Sequence, residues 1–272
     1  MTRLKTTDVR RIPRTLEKYE EELVKRTGCT LLEIAEDAAQ ANVNIKAILK
    51  QTKAAVVPIT SGGGVIEGFS PAVAAVLNHI GIRTIKIQGV DIAGIAEAFE
   101  QSADLTFVAD DKIYVAVNTH TRHVVDNATS TAKAYVAALD KMAKGLKEKP
   151  VLVIGIGNVG TAAISNLLLR KAKPLVVDVD RLKLRALSER FEQRVVVFSR
   201  LAEAVRHTNL IINAAPATNL IKADMIKENT LISAPAIPVG LTRAALRKIR
   251  RNLIHDPLQL GVATMAVEAC TN

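Results

Sequence analysis

The chain has 272 residues, 49% hydrophobic and 24% charged, an ordinary globular composition that excludes a wholly disordered chain and suffices for one large domain or two small ones. Its 37 Lys and Arg against 27 Asp and Glu leave a formal net charge of +10, which raises the question of nucleic acid or an anionic membrane. No Trp, three Tyr and five Phe argue against a base-stacking platform, and the basic excess belongs to residues 146–272, because residues 1–145 carry 18 basic and 17 acidic side chains.

The N-terminus lacks an apolar signal core, and its acidic residues argue against a transit peptide. Pro13 is suited to the first turn of a helix running to about Thr27 and closed by Gly28. Thr30–Leu49 reads as a second helix. Ala54–Thr60 is a short apolar strand ending in Ser61-Gly62-Gly63-Gly64. Ser70-Pro71 reads as an N-cap and helix-starting proline, with the helix ending near Ile80. Strand Thr84–Gln88, helix Asp91–Ser102 and strands Leu105–Ala109 and Lys112–Asn118 follow. This alternation predicts an α/β layer with a largely parallel sheet. Asn127–Lys144 is a long Ala-rich helix, and the charged turn Gly145–Pro150 after it is the expected domain boundary.

The second half repeats the alternation. Strands are expected at 151–154, 175–178, 194–198, 209–213 and 230–233, and helices at 158–170, 181–190 and 200–206. A last helix, Leu260–Ala269, is expected to pack back on the first domain. The fold class is therefore α/β: an N-terminal helical segment plus a small α/β domain (1–145), then a Rossmann-type doubly wound domain (146–272). The uncharged run Val151–Leu169 contains three glycines and reads as strand, turn and helix rather than a membrane span. Cys29 and Cys270 have no CxxC or Cys/His spacing, so they are expected to be reduced thiols of a cytoplasmic protein, with no metal site.

The strongest chemical signal is Val151-Leu-Val-Ile-Gly155-Ile156-Gly157-Asn158-Val159-Gly160, GxGxxG between a strand and a helix. Gly155 permits the tight turn, Gly157 lets the backbone approach a pyrophosphate, and Gly160 lets the helix pack on the strand. The helix N-terminus offers N–H groups and partial positive charge to phosphate. Asp178 ends the next strand, where it would accept the ribose hydroxyls and repel a 2′-phosphate. That favours NAD; Arg181 keeps NADP as the alternative. Ala215, Pro216 and Pro235, just past two later strands, are the expected far wall of a cofactor crevice, or else ordinary strand-to-helix loops.

In the first half, Thr60 and the glycines after it offer hydroxyls and N–H groups for an anion or carbonyl. Without the Lys-Ser/Thr of a P-loop, they do not suit a nucleoside triphosphate. Asp110 and Asp111 end a strand, where functional side chains gather in α/β sheets. They would hold or deprotonate an amine, or merely cap a turn. Asn118 and Asn127 flank the next connection, with Asn127 also suited to capping the long helix. His120 and His123 lack a third ligand and read as surface residues.

The segments VVPITSGGGVIEGFS (56–70), FVADDKIYVAVN (107–118), VVDNATSTAKAY (124–135), VLVIGIGNVG (151–160) and DPLQLGVATM (256–265) resemble, over nearly the whole chain, the pyrrolysine synthase family. These are the dehydrogenases that complete pyrrolysine biosynthesis from methylornithyl-lysine. The resemblance implies that NAD oxidises the terminal amine, that ammonia leaves and that a pyrroline ring closes. It implies a catalytic set of Asp110, Asn127 and Ser61, with Leu4, Thr60, Phe69, Asp111 and Asn118 around the substrate. Leu4 and Phe69 would be apolar contacts beneath an N-terminal lid. Gly63 and Gln259 depart from the family pattern, where a polar residue and a glycine are expected. The implied partner is a small amino-acid-derived molecule, not nucleic acid or membrane, with a homodimer as the assembly to look for. The competing readings are another NAD(P)-dependent amino-acid or methylene-tetrahydrofolate dehydrogenase, and a non-enzymatic NAD sensor that binds nucleic acid.

Overall fold

The computed structural model describes residues 3–271 and divides into two compact units: residues up to 24, 29–134 and from 257 onward, and residues 25–28 with 135–256. In the first unit, helices α1 (Thr6–Val9), α2 (Ile12–Thr27), α3 (Leu31–Ala39) and α4 (Ile45–Gln51) precede strand β1 (Lys53–Val57). The expected single helix over 30–49 is two. Thr30 accepts from the Glu33 N–H and Glu33 returns a bond to the Thr30 N–H, a capping box that starts α3. The helix stops where Gln40 turns left-handed at φ 54°. Asn44 then caps α4, so the break is made by Gln and Asn rather than by Gly or Pro.

Next come α5 (Phe69–His79), β2 (Arg83–Ile85), α6 (Asp91–Glu100), β3 (Leu105–Ala109), β4 (Tyr114–Asn118), β5 (Val124–Asp126) and α7 (Asn127–Ala143). Helix α5 starts at Phe69 after Gly68, at φ 84°, so Ser70 is inside the helix rather than its cap. The sheet order is β2-β1-β3-β4-β5. Its first three strands are parallel and its last two antiparallel, which corrects the expectation of a largely parallel sheet. Only residues 110–113 join β3 to β4, too few for a parallel crossover, so the pair folds as a hairpin.

The C-terminal helix, Gln259–Thr271, belongs to this unit and is buried from Gln259 through Ala269. It packs on α3, α5 and β4. Its one buried carboxylate, Glu268, is held by Ser130 and Lys133 of α7, as a buried charge requires.

The second unit carries β6 (Pro150–Ile154), α8 (Asn158–Leu169), β7 (Lys173–Val177), α9 (Arg181–Arg190), β8 (Val196–Phe198), α10 (Leu201–Ala204), β9 (Leu210–Asn213), β10 (Leu231–Ser233), α11 (Arg243–Lys248) and β11 (Leu253–Ile254). Helix α11 and strand β11 were not expected from the sequence. The six strands are all parallel, in the order β11-β10-β9-β6-β7-β8. Numbered from β6, this is the doubly wound order 3-2-1-4-5-6, whose crevice lies between the first and fourth strands. Buried Leu152, Ile154, Val177, Ile211 and Ile232 lie in its core, each contributing about 1.5–3 kcal/mol on burial. No helix of the described residues is long and apolar enough to cross a membrane.

Candidate functional site

The second unit builds its site where the strand order reverses. Gly155 leaves β6 at φ +86°, and a Cβ there would lie 2.9 Å from the Ala215 nitrogen, which follows β9. A Cβ on Gly160 would run into the Gly155 carbonyl oxygen. Both glycines therefore exclude a collision with backbone, which cannot yield. Gly157 differs. It is exposed at the N-cap of α8, and a Cβ there would meet nothing within 4 Å. The space over Gly157 and the exposed Asn158 is a place for a phosphate at a twelve-residue helix N-terminus. Ile156 is buried and Val159 half-buried, so these two anchor the loop.

Asp178 follows β7. Its carboxylate accepts from the Ile156 N–H at 2.7 Å and the Asp180 N–H at 2.9 Å. It thus ties the acidic position to the glycine loop, with lone pairs left for ribose hydroxyls. Asp180, not Asp178, caps α9. The far wall is organised by buried Asn213, which donates to Val239 O at 3.0 Å and accepts from Ala215 N at 3.3 Å. The Ala236 N–H reaches Asn213 O at 3.2 Å. These bonds set Ala215, exposed Pro216 and half-buried Pro235 at the same strand ends as Gly155. In the sequence Asn213 reads only as the end of a strand, because nothing marks an asparagine there as an organiser.

In the first unit, β1 and β3 are parallel neighbours, so the loops after them lie side by side. Thr60 is committed to Asp91: its N–H donates at 2.7 Å and its hydroxyl bonds the other carboxylate oxygen. These bonds from Thr60 hold Asp91 below the usual carboxylate range. The Gly63 N–H donates to Asp111 at 2.6 Å, and Arg3 pairs with the same carboxylate. Two of the loop's N–H groups are therefore already satisfied by carboxylates. Ser61 is exposed.

Asp110 accepts from the Lys112 and Ile113 N–H groups at 2.7 and 2.8 Å. Those bonds, Ile113 first, hold its pKa down. It caps the hairpin turn and is a weak base, better suited to orienting a cationic amine than to deprotonating it. Phe69 meets Tyr114 edge to face at 5.4 Å between centroids. Tyr114, also missed in the sequence, is buried with no partner for its hydroxyl among the described residues, and burial drives its pKa far up. Leu4 is half-buried in the segment before α1.

Asn127 begins α7, but Asp126 is the cap, accepting from the Thr129 N–H at 2.9 Å. Asn127 is thereby released from capping. Val115 pairs with Asp126, which brings Asn127 to the Asp110 end of the sheet. Its amide reaches the Met265 sulfur at 3.3 Å, while its oxygen has no protein donor among the described residues. Asn118 is not brought to this end. It pairs with Leu105 at the opposite end of the sheet. There it donates to Ala269 O at 2.8 Å and accepts from the His120 and Thr121 N–H groups.

The comparisons divide as the units do. Residues 8–125 match the family model described as pyrrolysine biosynthesis protein PylD, N-terminal domain, and residues 137–236 match shikimate/quinate 5-dehydrogenase. The pyrrolysine synthase of Methanosarcina barkeri is 28% identical over 244 residues, covering 86% of this chain and 91% of the relative. That of Methanosarcina acetivorans is 28% identical over 213 residues, covering 78% and 80%. This chain is similar to the pyrrolysine synthases over most of its length. Among solved structures, quinate dehydrogenase from Corynebacterium glutamicum in complex with NAD aligns with a TM-score of 0.55 at 14% identity, covering 81% of this chain and 93% of that one. Shikimate dehydrogenase from Aquifex aeolicus aligns with a TM-score of 0.52 at 16% identity, covering 77% and 88%. These structures bear on the fold alone. The chain is an oxidoreductase of dehydrogenase type.

Proposed function

We propose that this chain is a cytoplasmic enzyme that uses NAD to oxidise the terminal primary amine of 3-methylornithyl-lysine, releasing ammonia and giving the pyrroline ring of pyrrolysine. The observation that carries this reading is the 28% identity to a pyrrolysine synthase across 86% of the chain. The dinucleotide, when bound, accepts the hydride. The space over Gly157, the N-terminus of α8 and Asp178 fit its pyrophosphate and adenosine ribose. The anionic Asp178 disfavours a 2′-phosphate, so NAD is preferred to NADP.

The amine must be neutral to give up hydride, because its lone pair stabilises the developing cation. Asp110, held anionic, orients the ammonium group, which loses its proton to solvent base before hydride leaves. Loss of hydride leaves a protonated imine. Water adds to it and ammonia departs, leaving an aldehyde. The α-amine of the same moiety then attacks the aldehyde carbon, and loss of water closes the C=N bond. Asn127 hydrogen-bonds the substrate amide through its uncommitted oxygen, and Ser61 reaches the lysine end. Thr60 and Asp111 shape the loop from behind. Leu4 and Phe69 contact the apolar chain and exclude water.

Mass spectrometry of a reaction with NAD and 3-methylornithyl-lysine tests this reading. The expected product has lost one ammonia and two hydrogens. Unchanged substrate beside enzyme that binds NAD would overturn it. Quinate and shikimate serve as controls, since the match of residues 137–236 favours a hydroxy-acid dehydrogenase as the second reading.

A further inference from the structure

We infer that Arg3 is a positioning residue for the Thr60–Gly64 loop. The inference rests on the proposal that this loop meets the substrate. Arg3 donates through Nη2 to the Gly63 and Gly64 carbonyls at 2.9 and 2.7 Å, and through Nη1 to Asp111. Asp111 in turn accepts from the Gly63 N–H. One guanidinium and one carboxylate thus grip both polar edges of the same loop. Such charge-assisted, forked contacts fix direction as well as distance.

The glycines explain why the grip fits. Gly62 and Gly64 have φ of +71° and +79°, where side chains are strained. Gly63 does not have positive φ. Its requirement is room: a Cβ there would lie 2.7 Å from Cζ and Nη1 of Arg3. The guanidinium therefore occupies the volume that a residue at position 63 would fill.

The consequence lies on the other side of the loop. A peptide unit is planar and trans, so its N–H points away from its C=O. With the Gly63 and Gly64 carbonyls turned to Arg3, the N–H groups of Gly64 and Val65 are turned away from it. Neither has a protein acceptor among the described residues. Arg3 fixes the direction of these two donors, which suit a substrate carbonyl or carboxylate.

The test is a double-mutant cycle of Arg3→Ala, Gly63→Ser and the pair, with Arg3→Lys beside them. Arg3→Ala is expected to raise KM for the amine substrate about tenfold, leaving kcat and the KM for NAD within about twofold. Gly63→Ser evicts the guanidinium and does the same. The pair is expected to be no worse than either single change, because both break one contact. Arg3→Lys retains part of the effect. Hydrogen exchange of the ligand-free protein gives a readout that needs no turnover: residues 60–66 exchange faster in Arg3→Ala. Additive KM effects, unmoved kinetics, or unchanged exchange over 60–66 would overturn the inference. If wild type turns over no amine, the proposed function falls, and hydrogen exchange alone then decides whether Arg3 holds the loop.

Discussion

The molecule contains two glycine-rich loops after apolar strands, and they use glycine for different reasons. At Gly155 and Gly160 the missing side chains avoid backbone, a carbonyl oxygen and an amide nitrogen only a few residues or one strand away. At Gly62 and Gly63 they make room for the side chains of Asp111 and Arg3, 49 and 60 residues distant in sequence. A loop packed against backbone is fixed by geometry shared across dinucleotide folds. A loop packed against side chains is particular to this chain, and its neighbours can yield. The first should be brittle to substitution and the second graded.

The brittle loop predicts the largest effect. Gly160→Val puts a branched side chain into the Gly155 carbonyl, and NADH binding, followed by the fluorescence of the dinucleotide, should weaken by more than about 100-fold. Retained binding would mean that α8 can shift, and that the two loops are alike. Next, Asp178→Ala should weaken NAD binding about 10- to 100-fold, as expected for losing charged hydrogen bonds, with less loss for NADP. Equal loss for both dinucleotides would remove Asp178 from ribose recognition.

In the graded loop, Gly62→Ala should raise KM for the amine about tenfold while NAD binding stays unchanged, since both the shift of Asp111 and the backbone strain at φ +71° stay within that loop. The smallest effect belongs to Asp110. Its folded-state pKa is lowered by the Ile113 and Lys112 N–H groups. The bonds therefore stabilise the fold above the unfolded pKa, near 4, and that contribution fades as pH falls through the lower folded value. Thermal melts of wild type and Asp110→Asn between pH 7 and pH 2 should converge in acid. Parallel curves would mean that the turn does not depend on the ionised carboxylate.

The same contrast explains what the sequence revealed. GxGxxG, Asp178 and the apolar strands around them are local patterns, and so the second unit could be read almost strand by strand. The first unit's turn chemistry was harder. Gln40 takes a left-handed conformation without glycine, and Asp126 rather than Asn127 caps α7. The resemblance placed Asn118 around the substrate, but β4 runs antiparallel to β3 and carries it to the far end of the sheet from Asp110. The partnership of Arg3, Gly63 and Asp111 has no sequence period at all, because it joins three segments only after folding. The basic excess of residues 146–272 looked at first like a sign of nucleic acid. It lies largely in the unit proposed here to bind an anionic dinucleotide, where residues such as Arg185, Arg247 and Arg250 are exposed.

In the proposed reaction one unit serves a dinucleotide and the other an amine in a single dehydrogenation. The most direct measurement follows NADH absorbance and ammonia together in one reaction with NAD and 3-methylornithyl-lysine. One NADH and one ammonia per pyrroline ring formed, with both signals lost together in Asp178→Ala at low NAD, is the predicted result. NADH without ammonia, or neither product from enzyme that binds both reactants, would contradict it.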